Sequence, residues 1–379
     1  MEFSAKKNDL GKILAHVQSV VERKTAMPII ANVKVTANSN NTIGLLATDM
    51  DICIEDCIPA VVVQQAGCTT IPAWTLNEII KKLPDNAEIK FKTNSDNLDT
   101  IQIQVGSSQF DLPTIKAEDF PSFEDPITTC NFEVQSKVMH ELFTKTRHAI
   151  STEETRYYLN GIYLHTAKTS SGSEVLRAVA TDGHRLSCAQ TIQPNGAENM
   201  PGIIIPKKTV SELIKLLDSY AGNIEVSLST NKIMFKIGSS IITSKLIEGN
   251  FPDYERVVPK NNDKVLKLTK KELANAIGLV TLIATDKTKA VKFNITDKKL
   301  LVSASSEMNG NARGEQIVGS EFNSTETITI GFNSKYVLDA LAAIEGDDIN
   351  LSFSNNLGAV IANEVNDDNF ICILMPMQV

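Results

Sequence analysis

The stretch Thr181-Asp182-Gly183-His184-Arg185 sets a carboxylate and an imidazole two residues apart in a glycine turn. Such a spacing would suit a general acid and base. The Thr-Asp pair recurs as Thr48-Asp49 without a histidine. A repeated Thr-Asp, with ordinary Asp-Gly turn chemistry, therefore reads as one structural turn used twice. Other reactive residue types are no better placed. No G-x-x-x-x-G-K-[ST], G-x-G-x-x-G or H-E-x-x-H pattern occurs. His16, His140, His148 and His165 fall in expected helices or strands without ligand-like spacing. Cys53 and Cys57 stand four apart, but Cys68, Cys130, Cys188 and Cys372 supply no second close pair for zinc. These cysteines are too sparse for a disulfide framework and read as reduced thiols in the cytoplasm. The expectation is a non-catalytic protein with no cofactor and no metal.

Stepping outward from these residues, the chain is an internal repeat. Ala47-Thr48-Asp49 recurs as Ala180-Thr181-Asp182, and Ile71-Pro72 as Ile205-Pro206. Gly106-Ser107-Ser108 recurs as Gly238-Ser239-Ser240, and Phe120-Pro121-x-Phe123-Glu124 as Phe251-Pro252-x-Tyr254-Glu255. A third copy is fainter. Phe3, Leu10 and Leu14 match Phe132, Met139 and Phe143, then Leu266, Leu273 and Ile277. In that copy Ile330-Gly331 takes the Ile-Pro place, and Val302-Ser303-Ala304-Ser305 the Ala-Thr-Asp place. Three domains are expected: 1–125, 126–256 and 257–379.

Each repeat opens with an amphipathic helix, as Leu10, Ile13, Leu14, Val17 and Val21 recur at helical spacing. Thr269-Lys270-Lys271-Glu272 has the form of a capping box for the third such helix. Alternating segments such as Ile101-Gln102-Ile103-Gln104-Val105 suit half-buried strands. A second helix follows each Ile-Pro element, with Pro72 or Pro206 near its start. The fold class is α+β: three similar domains, each with two helices packed on antiparallel sheet.

Lys+Arg 37 against Asp+Glu 45 gives a net charge of −8, which argues against a general nucleic-acid binder. The average conceals segregation. Helices expected at 6–24, 75–83, 136–147, 207–219, 269–280 and 334–345 carry about +7 together, leaving about −15 elsewhere. Helix-favouring lysines and turn-favouring aspartates account for part of this; a basic helical face suited to phosphate is the other reading. Six helices at 8–10 Å spacing span roughly 60 Å, a circle only ~19 Å across. Twelve, from two chains, give a circle of about 38 Å, wide enough for duplex DNA. Head-to-tail closure of two chains is the natural route. No apolar run approaches the ~18–20 residues of a membrane span. The opening Met1-Glu2-Phe3-Ser4-Ala5-Lys6-Lys7 lacks the apolar core of a signal peptide.

Thr155-Arg156-Tyr157-Tyr158-Leu159-Asn160-Gly161, Ala180-Thr181-Asp182-Gly183-His184-Arg185-Leu186, Phe251-Pro252-Asp253-Tyr254 and the ending Met375-Pro376-Met377-Gln378-Val379 closely resemble the bacterial DNA polymerase III beta subunit family, the sliding clamps. The resemblance covers the full chain. It implies a head-to-tail homodimeric ring, a processivity factor that encircles double-stranded DNA without reading sequence. Such a ring tethers the polymerase III catalytic subunit, the clamp loader and other clamp-binding proteins through short peptides, and performs no chemistry. It implies a peptide groove at Arg156, Leu159, Thr181, Gly183, His184, Arg185, Leu186, Pro252, Arg256, Val257, Asn333, Tyr336, Ile373, Leu374, Met375, Pro376 and Met377. The apolar members would receive leucine or phenylalanine anchors, although the strand 370–377 also reads as core. DNA contacts carry over to Lys24, Lys81, Tyr157, Tyr158 and Lys207. At the dimer seam Phe110 resembles the family's aromatic plug, and Leu282 and Ile283 its receiving wall; ordinary intradomain core is the competing reading. Trp74 replaces a common basic residue and reads either as packing or as a stacking surface. The ending Gln378-Val379 departs from a frequent basic-leucine end. A monomeric three-domain protein scaffold without DNA encirclement is the alternative.

Overall fold

The computed structural model describes residues 1–94, 99–123, 128–283, 290–306 and 312–378. Glu124 of the repeated Phe-Pro motif and the terminal Val379 lie outside them. The first repeat runs β1 (Glu2–Lys6), α1 (Lys7–Gln18), β2 (Asn32–Ala37), β3 (Thr42–Thr48), β4 (Ile52–Pro59), β5 (Val62–Gln65), β6 (Gly67–Pro72), α2 (Ala73–Lys82), β7 (Glu88–Thr93), β8 (Thr100–Val105) and β9 (Ser108–Pro113). The second runs β10 (Cys130–Gln135), α3 (Ser136–Thr146), β11 (Gly161–Lys168), β12 (Glu174–Thr181), β13 (Arg185–Ile192), β14 (Ile203–Pro206), α4 (Lys207–Asp218), β15 (Asn223–Leu228), β16 (Lys232–Ile237) and β17 (Ser240–Lys245). The third runs β18 (Lys264–Thr269), α5 (Lys270–Val280), β19 (Ala290–Thr296), β20 (Lys299–Ser306), β21 (Ala312–Gly319), β22 (Glu321–Phe322), β23 (Ile328–Asn333), α6 (Ser334–Ala343), β24 (Asp348–Phe353), β25 (Val360–Glu364) and β26 (Phe370–Leu374). The α+β repeat read from the sequence is the architecture found.

The chain forms two compact units, 1–139 with 211–246, and 140–210 with 247–379. The first unit holds two sheets, β5-β1-β7-β8-β9 and β10-β15-β16-β17-β4-β3-β2-β6. The second holds β14-β11-β12-β13-β26-β25-β24-β18-β22 and β21-β20-β19-β23. Two sheets therefore run through repeat boundaries. In one, β17 of the second repeat pairs with β4 of the first. In the other, β26 of the third pairs with β13 of the second. These strands occupy the same places in their repeats, so one joining rule is used twice. Both are antiparallel, and at the second seam consecutive residues of β13 and β26 are buried on both faces.

Register makes the equivalence exact at the residue level. One cross-strand row runs Phe132–Val226–Phe235–Ile242 and continues across the seam to Ile54. Its counterpart runs Leu266–Leu351–Ala362–Cys372 and continues to Ser187. The first repeat carries Phe3–Phe91–Ile103–Phe110, where the row ends on β9, the last strand of its sheet.

Several expectations from the sequence need correction. The first helix ends at Gln18, not at 24. Val20 and Val21 are still buried, but in a turn where Ser19 Oγ donates to His16 O at 2.7 Å. Apolar periodicity thus outlasted the helix. The Thr269 side chain makes no cap hydrogen bond. Its helix is held instead by a neighbouring backbone carbonyl, Lys270 N donating to Asp347 O at 2.8 Å. Lys7 N to Ala87 O and Ser136 N to Gly222 O repeat this contact at 2.8 and 3.0 Å. The third counterpart of Ile71-Pro72 is Phe332-Asn333 rather than Ile330-Gly331. Val33 pairs with Ile71, Ile162 with Ile205 and Val291 with Phe332. Asn333 does what the prolines cannot, its Oδ1 accepting from Lys335 N at 3.0 Å. Charge on the helices is also milder than +7. Helices α1 to α5 each carry a net +1 and α6 is neutral, because Lys6, Arg23, Lys24 and Arg147, with Glu22 and Glu345, lie outside them.

Candidate functional site

Thr181 and Asp182 build a turn, as their repetition implied. Thr181 Oγ donates to Arg185 O at 2.7 Å and accepts from Gly183 N at 3.1 Å. Asp182 Oδ1 accepts from His184 N and Arg185 N at 2.9 and 3.0 Å. Thr48 and Asp49 make the same four bonds to Ile52, Met50 and Asp51. The third turn position is left-handed in both, with φ of 87° at Gly183 and 81° at Met50. At Gly183 a Cβ would meet only the tip of the exposed Arg156 side chain, which can swing aside, so the positive φ is what calls for glycine. Asp182 is thus occupied in holding backbone and is not poised to move a proton.

Beside this turn lies an apolar cleft of about 210 Å³. Of the residues carried over to a groove, Leu159, Thr181, Gly183, Arg185, Leu186, Pro252, Val257, Ile373 and Met375 line it. Asp253 and Tyr254 line it too and were missed as site residues, although both stand in the Phe-Pro-Asp-Tyr motif. Leu186, Ile373 and Tyr254 belong to a buried cluster beneath, whereas Met375 is 46% exposed and Val257 is exposed. An exposed methionine over an apolar floor makes an adaptable rim.

A second group stands beside the cleft. Arg185 is buried, with Nε donating to Asp182 Oδ2 at 3.0 Å and a terminal nitrogen to Asp339 Oδ2 at 2.6 Å. Its other terminal nitrogen donates to His148 O. Its guanidinium lies 4.4 Å from the centroid of the Tyr336 ring, which also stacks on His184 at 6.4 Å. Arg156 pairs with Glu153 at 3.1 Å, and Arg256 with Asp253 at 2.7 Å, both exposed. Asn333 caps α6, Leu374 is buried on β26, Pro376 and Met377 are half-buried, and Met377 N donates to Gly331 O at 2.9 Å. Of the residues carried over, Arg156, His184, Arg256, Asn333, Tyr336, Leu374, Pro376 and Met377 do not line the cleft.

Behind the cleft a hydrogen-bond chain fixes Tyr254. His165 Nδ1 lies 2.9 Å from Thr166 O, so it carries the proton. Nε2 then accepts from Tyr254 OH at 3.0 Å, and that oxygen accepts from Arg177 at 3.0 Å. Burial drives the His165 pKa down and the Tyr254 pKa up, so both stay uncharged.

The remaining candidates fall as follows. In the first unit, Lys24 is exposed after α1, and Lys81 is exposed on α2, 3.4 Å from Glu78. In the second, Tyr157 is exposed and Tyr158 half-buried, their rings edge-on at 5.7 Å, and Lys207 is exposed at the start of α4. Trp74 is half-buried, its Nε1 donating to Val21 O at 3.3 Å and its face covered by Arg23 at 3.9 Å. Phe110 is half-buried on β9. Leu282 is 78% exposed and Ile283 half-buried. Among the described residues no group of three or more His, Cys, Asp or Glu stands close enough to hold a metal ion. No helix described is long and apolar enough to cross a membrane.

Comparison with known proteins matches the N-terminal, central and C-terminal domains of the DNA polymerase III beta subunit at residues 1–124, 133–253 and 255–378. The chain is 37% identical to the beta sliding clamp of Caulobacter vibrioides and 30% identical to that of Escherichia coli K12, each over 100% of both chains. The DnaN sliding clamp of Bartonella birtlesii, solved bound to griselimycin, superposes with a TM-score of 0.95 at 35% identity, covering 100% of both chains.

Proposed function

The chain belongs to the DNA polymerase III beta subunit family, and from that membership and its own strand edges we infer how it works as a processivity clamp. It is a non-catalytic replication protein that acts in the cytoplasm. Two copies close head to tail into a ring around duplex DNA, with domains 1–125, 126–256 and 257–379 repeated around it. The ring slides, and it tethers polymerase III and other clamp-binding proteins by their peptides.

The observation that carries the reading is the joining rule. Within the chain, β17 docks on β4 and β26 on β13. The remaining strand of the first kind, β9, and of the second kind, β21, each end a sheet among the described residues. A second copy supplies both missing partners. The same register, carried to the subunit seam, supports a particular pairing. Ala47 pairs with Ile54, Ala180's neighbour row places Ser187, and Ala304 pairs with Gly314. Phe110 of one copy therefore falls opposite Gly314 of the next, where Ile242 meets Ile54 and Cys372 meets Ser187 in the chain. A Cβ on Gly314 would point at Ile283 and Val280, so Phe110 enters the wall that includes Leu282 and Ile283. An aromatic ring opposite glycine conserves volume where the internal seam has two isoleucines.

The cleft floored by Leu186 and Ile373 takes apolar anchors of partner peptides, with Arg156, His184 and Arg185 orienting their polar groups. Lys24, Lys81, Lys207, Tyr157 and Tyr158 meet duplex backbone without reading bases. The test is topological. Sedimentation should give a dimer at micromolar concentration, and protein loaded on nicked circular DNA should stay until the circle is linearised. A monomer, or equal retention on both DNAs, overturns the ring.

A further inference from the structure

On the same sheet face as the apolar cleft, and in the same unit, lies a larger trough of about 940 Å³. The two share Tyr254 and divide alternate residues of common strands. On β13 the cleft takes Leu186 and the trough Cys188, Gln190 and Ile192. On β26 the cleft takes Ile373 and the trough Ile371, while consecutive Val257 and Val258 line one each. The step from Leu186 to Gln190 is four strand residues, about 13 Å, which four residues of extended peptide would cover.

We propose that this trough is a second docking segment for the residues flanking a partner peptide's anchor, a proposal that rests on the cleft being the anchor site. Its chemistry states what it would take. Ile192 is 84% exposed, an isolated apolar side chain open to a partner's. Thr169, Ser171 and Ser173 hydroxyls rim one side, bonded to one another at 2.8 and 3.4 Å, with lone pairs left to accept from amide groups. Arg177 is immobilised, bonded to Gln190 at 3.0 and 3.1 Å, to Tyr254 at 3.0 Å and to Glu255 at 3.1 Å. Arg177 and Lys260 are balanced by Glu255 and Asp368 among the lining residues. The trough thus selects an uncharged, extended segment with an apolar side chain about six residues from the anchor, the step from Leu186 to Ile192. Its contribution should be insensitive to salt.

The experiment is fluorescence anisotropy of the full-length protein with a core clamp-binding peptide, and with the same peptide extended by six uncharged residues at either end. One extension should tighten binding three- to tenfold at both 50 and 300 mM salt. Ile192→Asp should abolish that gain and leave the core peptide's affinity unchanged. No gain from either extension, or a gain that survives Ile192→Asp, overturns the trough while leaving the cleft intact. A core peptide that fails to bind overturns the cleft and the trough with it.

Discussion

His148 is half-buried behind Arg185, 3.7 Å from the Cys372 sulfur. Burial, and then the Arg185 charge, lower its pKa from 6.5 to about 4. The unfolded chain therefore binds the proton more readily between those values, so stability is complete above pH 6.5 and falls as pH drops toward 4. The loss should reach roughly 2–3 kcal/mol. Urea titrations from pH 7.5 to 4 should show that decline, and His148→Gln should flatten it; an unchanged slope would place the linkage elsewhere. In the cleft, Met375→Ala should weaken a polymerase-derived peptide about tenfold, measured by anisotropy, because a flexible apolar rim is lost. Dimerisation should not change. At this scale the sequence was legible where a residue type had one use. The Thr-Asp turn was readable because it occurred twice with only one histidine. Tyr254 was not, because nothing local says that its hydroxyl joins His165 to Arg177 from 89 and 77 residues away.

Among the elements, repetition made the strands and helices readable, while their joining was not. A strand's burial pattern shows its faces but not its neighbour, and both internal seams pair strands from different repeats. The seams also differ in chemistry. At β4, buried Asp56 accepts from His16, Ser239 and Ser240 at 2.8 Å each and from Cys57 N at 2.8 Å. Burial alone would raise its pKa, but these donors outweigh it and hold the carboxyl below its usual range. The turn it grips, Gly238-Ser239-Ser240, is the triplet repeated at Gly106-Ser107-Ser108. In the proposed seam between copies, the register of the internal one would set Gln316 where Asp56 stands, with no carboxylate there to grip that triplet. The subunit seam then relies on shape. Gly314→Ile should crowd Phe110 and weaken the dimer at least tenfold in sedimentation. Phe110→Ile in the same chain should recover part of the loss, copying the internal Ile242–Ile54 pair. Failure of that rescue would break the register.

For the whole molecule, −8 concealed five helices of net +1. So small a charge per helix suits loose contact that salt can remove. Lys24→Glu with Lys81→Glu and Lys207→Glu should lower direct affinity for open duplex at 50 mM salt about tenfold. Retention on closed circles should persist, since a link needs no affinity. Loss of both together would show that contacts, not topology, hold the protein. The sheet order has a further consequence. Each chain offers one β9 edge and one β21 edge, unlike and complementary, as a hook and an eye. Splicing two copies into a single polypeptide leaves one hook and one eye still outstanding. Such a tandem chain could close alone, and its opening would no longer depend on concentration.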